Sequence, residues 1–311
     1  MASPVSHDLS IPPASKISRD RVRQSLDELF TLARRYRSCE AYSELLKFIV
    51  QFRFYSPFNA MLIHTQKPGA AYVAPPQRWL SEYQRRIKAE AQPLVILQPM
   101  GPVMFVFDVS DTEPEKDAPP LPPDVEHPFE VCQGHIGGGL EMTIENAKRD
   151  GVSVAERKEG SQRAGSIEFV KSGQHLSFLV KQRPQRQYVQ VPHRYMLILN
   201  SNHSVETRYA TLVHELAHLY CGHLGTPNEK WWQDRTGLPR GIREFEAESI
   251  CYLVCHRLGI ENPSEKYLAS YLKENASSDV PEISLECVMK SAGLIEQMGR
   301  ERLKPRKEKE R

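Results

Sequence analysis

The chain has 311 residues, of which 26% are charged and 40% hydrophobic, and a formal net charge of +2 at pH 7. No apolar run approaches the roughly 18 residues of a membrane-spanning helix, and no apolar segment follows a basic start at the N-terminus, so the sequence argues against membrane-spanning and secreted proteins. The six cysteines include no C-x-x-C pair, which indicates a reducing compartment and leads us to expect a cytoplasmic protein.

The N-terminal part of the sequence divides into two stretches of different composition. Residues 1–18 are rich in proline and serine, and we predict a disordered tail there. Residues 19–110 combine apolar residues at helical spacing with two strand-like runs, PLVILQP and GPVMFVFDVS. We therefore predict that this second stretch forms a small α+β module.

This N-terminal module carries a surplus of basic residues. Residues 19–90 contain 13 Lys and Arg against 7 Asp and Glu, and aromatic residues lie among them. Such a composition is typical of a surface that binds single-stranded nucleic acid, because cations meet phosphates and aromatic rings stack on bases. Single-stranded DNA is then the candidate partner, with contacts from Arg78, Trp79, Arg85 and Arg86. The alternative, which composition alone favours, is a solvated basic face over an aromatic core.

A composition change then marks a domain boundary. Residues 111–128, DTEPEKDAPPLPPDVEHP, are acidic and dense in proline, as in a stiff linker. Residues 129–298 alternate helical and strand-like segments, which predicts a second α+β domain. The mixed charged run at residues 299–311 is predicted to be a disordered tail.

The stretch TLVHELAHLYCG in the second domain carries His214, Glu215 and His218 in the order H-E-x-x-H. On a helix, residues four apart lie on the same side, so both imidazoles can reach one ion. Zn²⁺ suits such a pair, because a site with three protein ligands keeps a fourth position open for water or substrate. Glu215, offset by one position, is the candidate general base.

A third ligand is predicted on a second helix, GIREFEAESICYLVCHRLG. At about 100° per residue, Glu244 and Glu248 extend its apolar stripe, while Glu246 points to another side. We expect Glu244 to be the ligand and Glu248 to accept a hydrogen bond from a ligating imidazole. One alternative is an ion pair of these carboxylates with nearby arginines. Another is His223 as third ligand, although it lies five residues after His218 rather than the six of the longer H-E-x-x-H-x-x-G-x-x-H motif.

Two resemblances to known families follow from these motifs. With HELAH followed by EFEAES, residues 129–298 resemble the ImmA/IrrE-type metallopeptidases, a bacterial and phage-borne branch of the gluzincin-like zincins. The resemblance implies zinc held by the two histidines of HELAH and by Glu244, with Glu215 as catalytic base. The segment YSPFNAMLIHTQKPGAAYVAPPQRW resembles part of the ArdC-type antirestriction proteins, in which a DNA-binding module precedes the zincin domain.

The expected fold is therefore α+β: a zincin-like domain with a mixed sheet, an H-E-x-x-H helix and a Glu-bearing helix, preceded by the smaller module. The first functional hypothesis is a zinc-dependent endopeptidase that cleaves a cytoplasmic regulatory protein, with Glu215 as general base. The donor for its oxyanion is left open among Tyr252, His223 and His256. The second hypothesis is a DNA-binding antirestriction or regulatory protein whose zincin domain is mainly structural.

Overall fold

The computed structural model describes residues 36–98, 101–122, 125, 136–158, 164–171, 173–274 and 278–306. The tail predicted at residues 1–18 lies outside these ranges. The predicted mixture of helices and strands is confirmed in both halves of the chain. None of the helices in the described ranges has the length and apolar character needed to cross a membrane.

The N-terminal half is a small α+β unit. Its elements are α1 (Cys39–Gln51), α2 (Pro57–Gln66), β1 (Val73–Ala74), α3 (Pro76–Tyr83), β2 (Arg85–Ile87), β3 (Leu94–Gln98), β4 (Gly101–Asp108) and β5 (Thr112–Pro114). Strands β1, β4 and β3 form an antiparallel sheet with β4 in the middle, and β2 pairs with β5. Ser38 and Ser56 begin the first two helices, since each hydroxyl accepts a backbone N–H three residues further on.

Helix α2 covers the open edge of strand β3 with two side-chain amides. The amide of Asn59 both donates to and accepts from the backbone of Leu97, at 3.0 Å each. Gln66, two turns later, does the same for Val95, at 2.9 and 2.8 Å. These two residues therefore replace the strand neighbour that an edge strand lacks.

The C-terminal half holds a mixed sheet and the longer helices. Its elements are α4 (Gly139–Ala147), β6 (Val152–Arg157), β7 (Gly165–Phe169), β8 (His175–Lys181), β9 (Gln187–Pro192), β10 (Tyr195–Asn200), α5 (Val205–Tyr220), α6 (Arg240–Arg257), α7 (Pro263–Glu274) and α8 (Leu285–Arg300). Strand β10 is central in a three-stranded sheet, parallel to β6 and antiparallel to β7, while β8 and β9 form a separate hairpin. Helices α5 and α6 pack against each other.

The two halves share one hydrophobic core. Buried residues of α1, α2, β3 and β4 belong to the same cluster as those of α5, α6 and α8. At the junction, Arg257 of α6 donates to the carbonyl oxygens of Ile49 (2.6 Å) and Phe52 (3.0 Å), at the C-terminal end of α1. The domain boundary at residues 111–128 stays a prediction. The two halves on either side of it are in direct contact.

The last described segment is also packed. Residues 301–306, part of the tail predicted at residues 299–311, lie against the C-terminal half: Leu303 is buried and its N–H donates to Asn146. The guanidinium of Arg306 lies 2.7 Å from the buried carboxylate of Asp150.

Candidate metal centre

Helix α5 presents the H-E-x-x-H residues at the edge of the core. It begins after Ser204, whose hydroxyl accepts the N–H of Thr207. Its apolar residues Leu212 and Leu216 are fully buried, whereas His214, Glu215 and His218 are half-buried. The apolar stripe thus fixes the helix against the core, and the two histidines beside the stripe face helix α6.

Three predicted ligands meet between α5 and α6. The Nε2 atoms of His214 and His218 lie 3.2 Å apart, and the Oε2 atom of Glu244 lies 3.7 Å from each of them. These atoms all lie within 4.8 Å of one another. Two zinc–nitrogen bonds of the usual length at a tetrahedral angle would hold the nitrogens about 3.3 Å apart. Two imidazoles and one carboxylate with this spacing fit a zinc ion with an open fourth position.

The charges of the three ligands depend on one another. Burial acts to lower the pKa of His214, but the nearby carboxylate of Glu244 and the charge of Glu248 outweigh it and raise that pKa to about 9. Burial and the charge of His214 lower the pKa of His218 to about 3. The nearby imidazole of His214 lowers the pKa of Glu244 to about 2. Without a metal, these shifts favour a protonated His214 beside a neutral His218.

The predicted outer carboxylate stands beside the first histidine. The Oε1 atom of Glu248 lies 3.7 Å from Nδ1 of His214, on the opposite side of the ring from the ligand cluster. This distance is longer than a direct hydrogen bond. The alternative ion pair is present alongside: the Nε atom of Arg240, an exposed side chain, lies 3.7 Å from the second oxygen of Glu244.

The candidate base, Glu215, is held between α5 and the mixed sheet. Burial raises the pKa of Glu215, while His214 and the backbone N–H of Ile167, on strand β7, lower it in part. A cavity of about 250 Å³ opens beside Glu215 and Glu248, with Thr211 and Ser264 in its wall. A carboxylate with a raised pKa next to a cavity can accept a proton and release it again.

Sequence reasoning did not predict what lies at the Nδ1 atom of His218, which faces away from the ligand cluster. His223 lies in the turn after α5 and is buried, with its Nδ1 atom 2.9 Å from Nδ1 of His218. Its Nε2 atom lies 2.9 Å from the fully buried carboxylate of Glu246, which also pairs with Arg235. Glu244, and not His223, therefore meets the two imidazoles, and His223 does not reach the cavity as an oxyanion donor. The signal in the sequence was a second carboxylate on an otherwise apolar side of α6.

The residues predicted to contact nucleic acid differ in exposure: Trp79 is buried, whereas the arginines lie at the surface. Trp79 is fully buried and its Nε1–H donates to the carbonyl of Phe107, so the ring has no free face for a base, and its predicted stacking role is wrong. It packs with Tyr72 and Tyr83 in a small aromatic core, which is the alternative that composition favoured. The role of the three arginines stays a prediction.

Each of these arginines has a partner in the fold. Arg78 pairs with Glu82 at 2.8 Å, and Arg86 pairs with Glu115 at 2.6 Å. Arg85 donates to the hydroxyl of Thr112 at 2.7 Å. Pairs as exposed as the first two are weak and would open readily for a phosphate.

Comparison with known proteins supports the metallopeptidase resemblance. Residues 174–266 match the family model Peptidase_M78, described as an IrrE N-terminal-like domain, and this stretch includes all of His214, Glu215, His218 and Glu244. The resemblance to the ImmA/IrrE type is thereby confirmed, and a metallopeptidase-like role is supported. No curated protein matches the chain.

One solved structure is similar to this chain. It is a crystal structure of the antirestriction protein ArdC from the R388 plasmid, in a metal-free form. The two chains are 13% identical, and the similarity covers 78% of this chain and 82% of that one with a TM-score of 0.30.

Proposed function

We propose that this protein is a zinc-dependent endopeptidase of the ImmA/IrrE type, with His214, His218 and Glu244 as zinc ligands and Glu215 as general base. The observation that carries the proposal is the convergence of three ligand atoms within 4.8 Å of one another. Glu215, whose carboxylate is not one of these ligands, lies beside the two histidines on the same helix. Two imidazoles and one carboxylate form a donor set typical of catalytic zinc.

The chemistry divides between the ion and the protein. Bound zinc would supply Lewis acidity, which polarises the scissile carbonyl and eases the deprotonation of water. Glu215 takes a proton from the attacking water and returns it to the amide nitrogen, so that the C–N bond breaks and the amine leaves neutral. The raised pKa of Glu215 suits both transfers, because its protonated form persists closer to neutral pH than that of an ordinary carboxyl group.

The surroundings of the site favour a peptide as the substrate. In the described ranges, strand β7 pairs only with β10, so its other edge has no strand neighbour there. An extended peptide can add to such an edge through main-chain hydrogen bonds, with its scissile bond beside the ligands. The cavity beside Glu215 would then receive a substrate side chain. We propose that the substrate is one cytoplasmic regulatory protein.

The substitution Glu215→Gln tests the proposal. The amide keeps the shape of the side chain but accepts no proton, so cleavage should fall by at least about 100-fold while zinc content and fold are kept. Purified zinc-loaded protein would be incubated with lysate of the producing cell, and new protein N-termini would be identified by mass spectrometry.

The matched control is Glu206→Gln, the same change at an exposed position in the first turn of α5. This variant should produce the same new N-termini as the wild type. Equal cleavage by the wild type and by Glu215→Gln would remove Glu215 as the base and, with it, the proposed mechanism.

A second candidate function is DNA binding by the N-terminal half, with the metal domain mainly structural. The observation that favours it is Phe54, which is 55% exposed and lies at an open groove with Arg53 of the same half and with Lys290 and Arg300 of α8. Glu296 and Glu301 also line this groove. An exposed aromatic ring among cations can stack on an unpaired base.

Titration of the full chain with a fluorescent single-stranded oligonucleotide tests this candidate. Binding should weaken as salt rises and should fall severalfold in Phe54→Ala and in Arg86→Glu. A matched aromatic control is Tyr188→Ala, at an exposed ring on strand β9. Absence of binding by the wild type at low salt would eliminate the candidate.

A further inference from the structure

The ring of His218 is held at both nitrogens. Its Nε2 atom faces the ligand cluster, 3.2 Å from Nε2 of His214, while its Nδ1 atom faces away, 2.9 Å from Nδ1 of His223. The far nitrogen of His223, Nε2, lies 2.9 Å from Oε2 of Glu246. A continuous line of short contacts thus runs from the candidate ligand into the protein interior.

When both imidazoles are neutral, the end of this line sets the direction of the hydrogen bonds in it. The carboxylate of Glu246 accepts from both terminal nitrogens of Arg235, at 2.8 and 2.6 Å, and from the backbone N–H of Ser284 at 2.8 Å. A carboxylate in this role only accepts, so Nε2 of His223 must carry the hydrogen. A neutral imidazole then offers its other nitrogen as an acceptor. His218 must therefore donate from Nδ1, which leaves the lone pair of its Nε2 atom free.

We propose that His223, Glu246 and Arg235 form a buried hydrogen-bond relay that holds His218 in its Nδ1–H tautomer, with Nε2 ready for a metal ion. His223 is then a positioning residue and not a ligand. This inference rests on the proposed function, since it assigns a role to residues behind one of the proposed zinc ligands. Outer hydrogen bonds of this kind orient ligating imidazoles and strengthen metal binding.

The relay is rigid because the turn after α5 is built around a close backbone approach. Gly222 has φ of +72°, and a Cβ atom there would lie 1.9 Å from the carbonyl oxygen of Gln233. The carbonyl of Gly222 accepts the N–H of Arg235, and the carbonyl of Cys221 accepts from its guanidinium. The turn therefore places His223 and Arg235 as one unit, on either side of the same carboxylate.

Burying the polar side chains of this relay costs folding free energy. The side chains of His223 and Glu246 are 1% and 0% exposed, and a buried ion pair such as that of Glu246 with Arg235 seldom stabilises a fold more than apolar residues would. An orienting role for His218 gives a reason to keep the pair. The contrast with His214 is direct, since the acceptor beside its Nδ1 atom is 3.7 Å away and partly open to solvent.

The tautomers can be measured in the wild-type full chain without metal. Long-range ¹H–¹⁵N correlation spectra of imidazole nitrogens distinguish Nδ1–H from Nε2–H, and single His→Gln variants assign the peaks among the 11 histidines. We expect an Nδ1–H tautomer for His218 and an Nε2–H tautomer for His223. An Nε2–H tautomer for neutral His218 would overturn the relay, and this result would not depend on whether the protein is an active peptidase.

Zinc affinity gives an independent test that does not depend on activity. His223→Leu removes the acceptor for His218, and its zinc affinity, measured by competition with a chromophoric chelator, should fall about 10- to 100-fold. His223→Asn can keep an acceptor oxygen near the position of Nδ1 and should recover most of that loss. The visible spectrum of the cobalt-substituted protein should change in the leucine variant and remain close to wild type in the asparagine variant.

The outcomes separate this inference from the proposed function. Zinc binding by the wild type together with equal affinity in His223→Leu would overturn the relay and leave the metal site intact. If the wild type binds no zinc, the proposed function fails, and the tautomer measurement still decides whether the relay exists.

Discussion

Four glutamates on α5 and α6 differ because each has different neighbours. Burial raises the pKa of Glu215, which suits a group that moves protons. The nearby imidazole of His214 holds the pKa of Glu244 at about 2, which suits a ligand that must stay ionised. Hydrogen bonds from His223, Arg235 and Ser284 outweigh burial and lower the pKa of Glu246, and Glu248 stands 3.7 Å from Nδ1 of His214. At this scale the neighbours, more than the residue type, determine the role.

Proton release on zinc binding is the first prediction at the scale of residues. At pH 7 His214 is protonated, because its pKa is raised to about 9, and His218 is neutral, because its pKa is lowered to about 3. Zinc needs both lone pairs, so binding at pH 7 should release about one proton, and affinity should rise about tenfold per pH unit up to roughly pH 9. Calorimetry in buffers of different ionisation enthalpy measures the number released.

The same shift has a consequence for the metal-free protein. Because the folded pKa of His214 exceeds its ordinary value of 6.5, its contribution to stability is full below pH 6.5 and is lost as pH rises through about 9.

The control for the proton-release measurement is His256→Gln, a change on α6 outside the ligand cluster, which should leave the number of protons released unchanged. Binding heats that are identical in all buffers would contradict the prediction.

The site residues differed in how far the sequence could locate them. A helix turns by a fixed angle per residue, so spacing alone brought Glu244 to the same face as Glu248 and opposite the H-E-x-x-H helix. His223 follows the last turn of its helix, where spacing carries no direction, and its contacts depend on a turn closed by Gln233 and Arg235, ten and twelve positions later. Trp79 was misplaced because composition does not distinguish an exposed aromatic ring from a buried one.

At the scale of elements, the structure explains several residues of YSPFNAMLIHTQKPGAAYVAPPQRW, the segment at residues 55–79 that resembles ArdC-type proteins. Ser56 begins α2, the amides of Asn59 and Gln66 hold the edge of β3, and Trp79 fills the small aromatic core. These residues are among those that carry the resemblance to ArdC-type proteins. Their contacts account for that pattern through folding alone, without a nucleic acid. The sequence predicted the helix and the strand here, but not the side-chain pairing that joins them.

Asn59→Leu is the prediction for this pairing. The change leaves the N–H and C=O of Leu97 without their partner at a partly buried strand edge, which should lower the free energy of unfolding by about 1–3 kcal/mol. Urea unfolding followed by circular dichroism measures the loss. Gln77→Leu, at an exposed position of α3, is the control and should change stability by less than about 0.5 kcal/mol. Equal stability of both variants would show that the amide bridge contributes nothing.

At the scale of the whole molecule, the two halves depend on each other although a proline-rich stretch separates them in sequence. Helix α1 packs against α6, and the hydroxyl of Tyr42 donates to that of Ser249 at 2.8 Å between them. Since α6 also carries Glu244 and Glu246, the N-terminal half supports the helix that completes the metal centre. A composition change can predict a linker, but it cannot show whether the segments on either side bury apolar surface against each other.

Arg257 joins the halves, and its removal is the last prediction. Its guanidinium donates to the carbonyl oxygens of Ile49, Phe52 and Tyr55 and to the buried carboxylate of Glu296, at 2.6–3.0 Å. Arg257→Leu leaves that carboxylate without its buried partner, so the free energy of unfolding should fall by about 3–5 kcal/mol. Arg300→Leu is the matched control, because Arg300 contacts the same carboxylate at 3.5 Å from an exposed position.

The control should cost less than about 1 kcal/mol, as exposed ion pairs do. Because one core spans both halves, far-ultraviolet circular dichroism and fluorescence of the C-terminal residues Trp231 and Trp232, measured with Trp79→Phe in every variant, should report the same urea midpoint with Arg257→Leu as without it. If the fluorescence midpoint stayed at the wild-type value while part of the circular dichroism signal was lost earlier, the N-terminal half would be unfolding alone. The metal centre would then stand without the support of α1, and zinc affinity in Arg257→Leu would equal that of the wild type.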